Sequence, residues 1–153
     1  MSAIMPTYGR LPVTFASGAG AYLTDQKGRQ YLDALSGIAV TNLGHSHPSV
    51  TRAVTEQAES LLHTSNLYGI AQQERLAAEL NQLTGMERIF FCNSGAEANE
   101  TAIKMARRHG HNKGIANPQI VVLEGAFHGR TMGALSATGS AAIQAAFKPL
   151  LPG

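Results

Sequence analysis

The sequence predicts an α/β fold in which a small β-hairpin precedes the start of a mostly parallel sheet. Two observations carry that reading. From residue 70 onward, helix-period segments alternate with short, nearly continuous apolar runs, "RIFFC" at 88–92 and "QIVVLE" at 119–124. Strands of that kind are covered on both faces, as in a parallel sheet flanked by helices. Phe15 to Leu35 instead alternates polar and apolar residues around Asp25 and Gly28, the pattern of a hairpin or small meander. The 153 residues suffice for a sizeable core, and 44% hydrophobic against 14% charged residues describes a folded rather than a disordered chain.

Each element has a local reason. After the hairpin, "SGIAVTNLGHSHP" is a loop of small and turn residues. Pro48 suits the first turn of a helix, with Ser46 or His47 as its cap, and Val50, Val54, Ala58, Leu61 and Leu62 mark one face. "HTSNLYG" is a polar break. A second helix is expected over about 70–83, with Leu76, Ala77, Leu80 and Leu83 inward and Gly85 as C-cap. Arg88 to Cys92 reads as a buried strand. Ser94 to Arg108 reads as a helix packing through Ala98, Ala102, Met105 and Ala106. Gln119 to Glu124 is a second buried strand, and "GAFHGRTMGALSATG" is a loop running into a short helix. The expected division is 1–47, the hairpin segment, and 48–153, the first part of the sheet-bearing domain.

Composition excludes several functions. A net charge of +2 with scattered basic residues argues against nucleic acid. No apolar run approaches membrane-spanning length, and "MSAIMPTYGRLPVTF" lacks the charged and apolar regions of a signal peptide. Cys92 is the only cysteine; a cytoplasmic compartment fits, and an inert thiol at the end of a buried strand is the favoured reading. His45-x-His47 and His109-x-His111 have no acidic or cysteine partner nearby, so turn and cap roles are favoured over a metal.

Two turns can carry chemistry. In "FFCNSGAEANETAIKMARR", an apolar run stops at Asn93-Ser94-Gly95-Ala96 and a helix follows. The first N–H groups of a helix lack internal partners, and glycine lets a ligand approach them, so the turn can seat a phosphate. The same residues also form a cap, because Ser94 and Glu97 have capping-box spacing. No Walker lysine and no G-x-G-x-x-G is present. In "EGAFHGRT", Phe127 can stack on a flat heteroaromatic ring and Arg130 can clamp a carboxylate; core packing and a surface ion pair are the plainer alternatives. Both turns fall at the same end of adjacent βα units.

"LDALSGIAVTNLGHSHPSV", "TSNLYG", "FFCNSGAEANETAIKMARR" and "FHGRTMGALSATG", in this order, resemble the class III pyridoxal-phosphate-dependent aminotransferases, and within them the enzymes acting on acetylornithine in arginine biosynthesis. The resemblance implies the N-terminal part of a fold type I transferase, with 1–47 in its small domain and 48–153 opening its cofactor-binding large domain. It implies that Gly95 and Ala96, with Ser94, bind the phosphate of pyridoxal 5'-phosphate, that Phe127 covers its ring, and that Arg130 binds the substrate carboxylate. Ile38, Asn66 and Tyr68 would line the substrate site in a homodimer. The implied reaction moves an amino group from N2-acetylornithine to 2-oxoglutarate, in the cytoplasm.

Related donors (succinylornithine, ornithine, 4-aminobutyrate) and a non-catalytic anion- or partner-binding module are the alternatives. None of the four lysines, Lys27, Lys104, Lys113 and Lys148, stands in the family's Schiff-base motif, so no catalytic residue is expected within these residues and they are expected to be inactive alone.

Overall fold

The computed structural model describes residues 3–153, which divide into two compact units, one running to Ala71 and the other from Gln72 to Gly153.

The first unit is built on a three-stranded antiparallel meander, β1 (Phe15–Ala19), β2 (Tyr22–Asp25) and β3 (Gln30–Leu32), in the order β1-β2-β3. The second turn is the one the sequence indicated. Gly28 takes φ +79° and donates to the Asp25 carbonyl at 3.0 Å. The Asp25 carboxylate, 4% exposed, accepts from the amides of Lys27 (2.8 Å) and Arg29 (2.9 Å), the Arg29 Nε (2.8 Å) and the Tyr31 hydroxyl (3.1 Å). Burial alone would raise its pKa; these donors outweigh it and lower the pKa to about 2.

The loop that follows is fastened to the meander. His45 exchanges two backbone hydrogen bonds with Gly20 (3.0 and 2.8 Å), and its Nε2 meets Asp33 Oδ2 at 2.7 Å. The His45 contact holds the Asp33 carboxyl below its ordinary pKa against the opposing effect of burial, helped by the Ser36 and Leu35 amides. Asp33 Oδ1 accepts those amides at 2.9 and 3.0 Å and so opens α1 (Ser36–Ala39), a single turn with positive φ throughout (52°, 63°, 64° and 59°). Left-handed backbone costs roughly 1–2 kcal/mol per non-glycine residue, and the β-branched Ile38 is the least suited to it. α2 (Pro48–Ser60) begins at Pro48 as expected. His47 occupies its N-cap without a side-chain bond, while the Ser46 hydroxyl donates to the Gly18 carbonyl. The expected apolar face of α2 is exposed.

In the second unit, α3 (Ala71–Thr84) ends at Gly85, which has φ +70° and donates to Asn81. Of its expected inward residues, Ala77 and Leu80 are half-covered; Leu76 and Leu83 are exposed. α4 (Gly95–Asn112) runs a turn past Arg108, because the chain reverses only at Gly114 (φ +79°). Short helices α5 (Met132–Ala137) and α6 (Ala141–Gln144) and a 3-10 turn (Ala145–Phe147) complete the unit. Ala134, Leu135 and Thr138 form its buried centre.

Three expectations are corrected. Arg88–Cys92 and Gln119–Glu124 form no strand, and Phe90, Val121 (95%) and Leu123 are exposed rather than buried. An extended segment becomes a strand only when a neighbour pairs its backbone, and among the described residues neither run has one. Cys92 is therefore exposed and is not a core thiol. Finally, α4 does not pack through Ala98, Ala102, Met105 and Ala106, which are exposed. Its covered residues are Ala96, Asn99, Glu100, Thr101, Ile103, Arg107 and Gly110. The polar pair Asn99 and Glu100 sits among them because it is hydrogen-bonded there.

Candidate functional site

The turn before α4 is closed by Ser94 as N-cap and by Glu97, whose carboxylate accepts from the residue ahead of the cap. Ser94, in extended conformation, accepts from the Glu97 amide at 3.2 Å, and Glu97 Oε2 reaches back to the Asn93 amide at 2.6 Å. The first i→i−4 bond of the helix runs from Ala98 to the Ser94 carbonyl (3.0 Å). The Gly95 and Ala96 amides lie ahead of it, and no hydrogen bond to either is found among the described residues. The cap thus leaves the Gly95 and Ala96 N–H groups of the same turn unused. A Cβ built on Gly95 would meet nothing within 4 Å, so the approach to these amides is open. An eighteen-residue helix supplies the dipole that favours negative charge there.

The second loop is brought against this turn. Gly129 has φ +129°, and a Cβ there would lie 2.9 Å from the Ala96 Cβ and 3.0 Å from that of Ala134. Only glycine lets the loop settle this closely onto the second residue of α4. Asn99 Nδ2 donates to the His128 carbonyl at 2.6 Å. Thr138, 1% exposed, accepts from the His128 amide at 3.0 Å and shares its hydroxyl hydrogen between the carbonyls of Gly129 (3.1 Å) and Ala134 (3.0 Å). At the loop's other end, Gly139 donates to the Ala126 carbonyl at 2.8 Å, and its Cα faces the Gly125 amide without room for a side chain.

Glu100 holds the start of α5. Its Oε1 accepts from Thr131 Oγ1 at 2.5 Å and from the Ala134 amide at 3.1 Å. The Thr131 hydroxyl, more than any other group, holds the Glu100 carboxyl below its ordinary pKa. Burial opposes the shift; the amides of Ala134 and Gly133 and the Lys104 cation add to it.

Of the sequence-predicted residues, Ser94, Gly95, Ala96, Phe127 and Arg130 belong to this one unit, and the Gly129–Ala96 contact joins the segments that carry them. Phe127 is 65% exposed and Arg130 is exposed, so the ring is not a core residue. Ile38, Asn66 and Tyr68 lie in the first unit, and all three are exposed. Asn99, Glu100 and Thr138 also hold this loop, and no motif in the sequence marks them out for that role. Their signal is polar residues on the covered side of α4 and after α5, where apolar ones would be expected.

The residues fit a phosphorylated aromatic ligand: two N–H groups at an open helix end, with an exposed ring and a guanidinium on the adjoining loop. No helix is long and apolar enough to cross a membrane, and no cluster of three or more metal-ligating side chains occurs among the described residues.

The chain is 60% identical over 153 residues to the acetylornithine aminotransferase of Nitrosomonas europaea, covering 100% of this chain and 39% of that protein. The ornithine aminotransferase of Toxoplasma gondii ME49 superposes with a TM-score of 0.91 at 30% identity, over 99% of this chain and 36% of that one. An amine transaminase from an uncultivated Pseudomonas species, solved in its PLP-bound form, gives 0.87 at 29% identity, over 99% and 37%. The chain therefore spans about two-fifths of the length of the relatives it matches. Since the profile "Aminotransferase class-III" matches residues 4–153, nearly the whole chain, the protein belongs to the class III aminotransferases.

Proposed function

We propose that these residues are the N-terminal part of a pyridoxal-phosphate-dependent aminotransferase. In this reading Gly95 and Ala96 donate their amides to the cofactor phosphate beside Ser94, Phe127 covers the ring, and Arg130 binds the carboxylate of the amino-acid substrate. When bound, the cofactor supplies an electron sink for the carbon that loses its proton. The chain's own share is binding and orientation: the helix end fixes one pole of the ligand, and the loop carrying Phe127 and Arg130 fixes the plane and the substrate's carboxylate. No lysine of this segment stands in the family's proton-moving position, so residues 1–153 alone are inactive.

N2-acetylornithine is the proposed donor, in keeping with the names of the curated relatives, with 2-oxoglutarate as acceptor, within arginine biosynthesis in the cytoplasm. The whole protein acts as a homodimer, with Ile38, Asn66 and Tyr68 on the substrate side. Residues 1–47 form part of its small domain and 48–153 open its cofactor-binding domain.

The observation that carries this reading is the seating of Gly129 on Ala96, which joins the phosphate-binding turn to the ring-and-carboxylate loop. The test is a pyridoxal phosphate titration of the full-length protein and its Gly95→Asp variant. Aspartate has room at Gly95 and suits a helix first turn, so the fold is retained while its charge repels phosphate. A loss of affinity on the order of tenfold or more is expected, from placing a like charge beside the anion. Equal affinity in the two proteins would remove the phosphate seat.

A further inference from the structure

On the covered side of α4, Asn99 and Glu100 are polar where packing alone would favour apolar side chains, and both point to the same loop. Asn99 donates to the His128 carbonyl (2.6 Å). Glu100, its neighbour, accepts from Thr131 and from the Ala134 amide. These attachments bracket Gly129 and Arg130. Both come from the second turn of α4, whose first turn carries Gly95 and Ala96. A helix is stiff over one turn, so the attachments fix the loop relative to the two amides within a single rigid element. Gly133 shows how closely the carboxylate is fitted: a Cβ there would lie 2.4 Å from Glu100 Oε2.

We infer that Asn99 and Glu100 are positioning residues that set the separation between the helix-end anion seat and the loop carrying Phe127 and Arg130. The inference rests on the functional reading above and adds to it: neither side chain touches the ligand, and both act through His128, Thr131 and Ala134. A purely structural role would make their loss a matter of stability. A positioning role makes it a matter of substrate fit, because Arg130 shifts while the phosphate seat stays.

The test uses the full-length holoenzyme with Asn99→Ala, Asn99→Gln, Glu100→Gln and Gly95→Asp. Pyridoxal phosphate affinity is measured by absorbance titration, KM and kcat with the amino-acid donor, and backbone amide exchange at residues 127–131. Asn99→Ala and the near-isosteric Glu100→Gln are expected to raise KM about tenfold, since misplacement by an ångström can cost that much or more. Cofactor affinity should stay within about threefold, as the seat itself is unaltered. Amide exchange at His128 and Arg130 should quicken. Asn99→Gln, which keeps the donating amide, should recover part of the KM.

Unchanged KM and exchange in both variants would overturn the inference. So would a parallel loss of cofactor affinity, rise in KM and fall in melting temperature, with no recovery in Asn99→Gln. If wild type binds no pyridoxal phosphate, the functional reading fails and this inference with it. If Gly95→Asp loses the cofactor while the Asn99 and Glu100 variants match wild type, only the positioning role is lost.

Discussion

Gly129 rests on Ala96 with no space for a methyl group between them, and its φ of +129° is one that other residues rarely adopt. Two separate penalties therefore follow from Gly129→Ala. Backbone strain costs on the order of 1–3 kcal/mol and overpacking a similar amount. A loss of about 2–5 kcal/mol is expected in urea unfolding of the full-length protein. Ala96→Gly should recover part of it, because it removes the methyl that the new Cβ meets.

Ser94 has two potential roles that one substitution separates. Ser94→Ala removes the acceptor for the Glu97 amide and should cost about 1 kcal/mol of stability. Ser94→Asp keeps the cap and adds a negative charge at the anion seat. It should restore the melting temperature while weakening pyridoxal phosphate binding. If both variants bind the cofactor like wild type, the turn is a cap and nothing more.

The Asp25 turn gives a pH dependence of fixed sign. Its folded pKa is about 2, below the 3.8 of the free side chain. The ionised form is thus favoured by folding, and its contribution is complete above about pH 4 and lost as pH falls toward 2. The protection of the Lys27 and Arg29 amides, both bonded to this carboxylate, relative to their intrinsic exchange should fall across that interval. In the Asp25→Asn variant these amides should exchange faster at about pH 6, and the acid step should disappear. An acid step that persists in the variant would assign it to other groups.

Glu100 offers a second acid-sensitive contact in the other unit. Its pKa is depressed, so its hold on Thr131 and Ala134 is present above the ordinary glutamate range and weakens as pH falls below it. The protection of the Ala134 amide relative to its intrinsic exchange should therefore fall with acid. Glu100→Ala, which removes the accepting oxygen, should remove the pH dependence and leave protection low throughout.

Elements governed by neighbours in sequence were legible. The meander around Asp25 and Gly28, the start of α2 at Pro48, the Gly85 stop and the Ser94–Glu97 cap all follow from residues within a few positions of each other. Less legible was the end of α4. Gly110 resembles a stop but is buried against Pro118, leaving no space for a side chain, and the helix continues to Asn112. The alanine and methionine stripe of α4 misled for a related reason: apolar periodicity shows which face can be buried, not which face finds a partner.

By itself the sequence determined the local structure, the four family motifs and the residue types able to seat a phosphate, cover a ring and clamp a carboxylate. Tertiary structure decided which of these meet. It set Gly129 on Ala96, turned Asn99 and Glu100 toward the loop, and left 88–92 and 119–124 without a strand partner among the described residues. The physical reason is range. Caps and turns are satisfied within a few residues, whereas strand pairing and loop seating need backbone groups and surfaces from distant parts of a chain, and these exist only once it has folded.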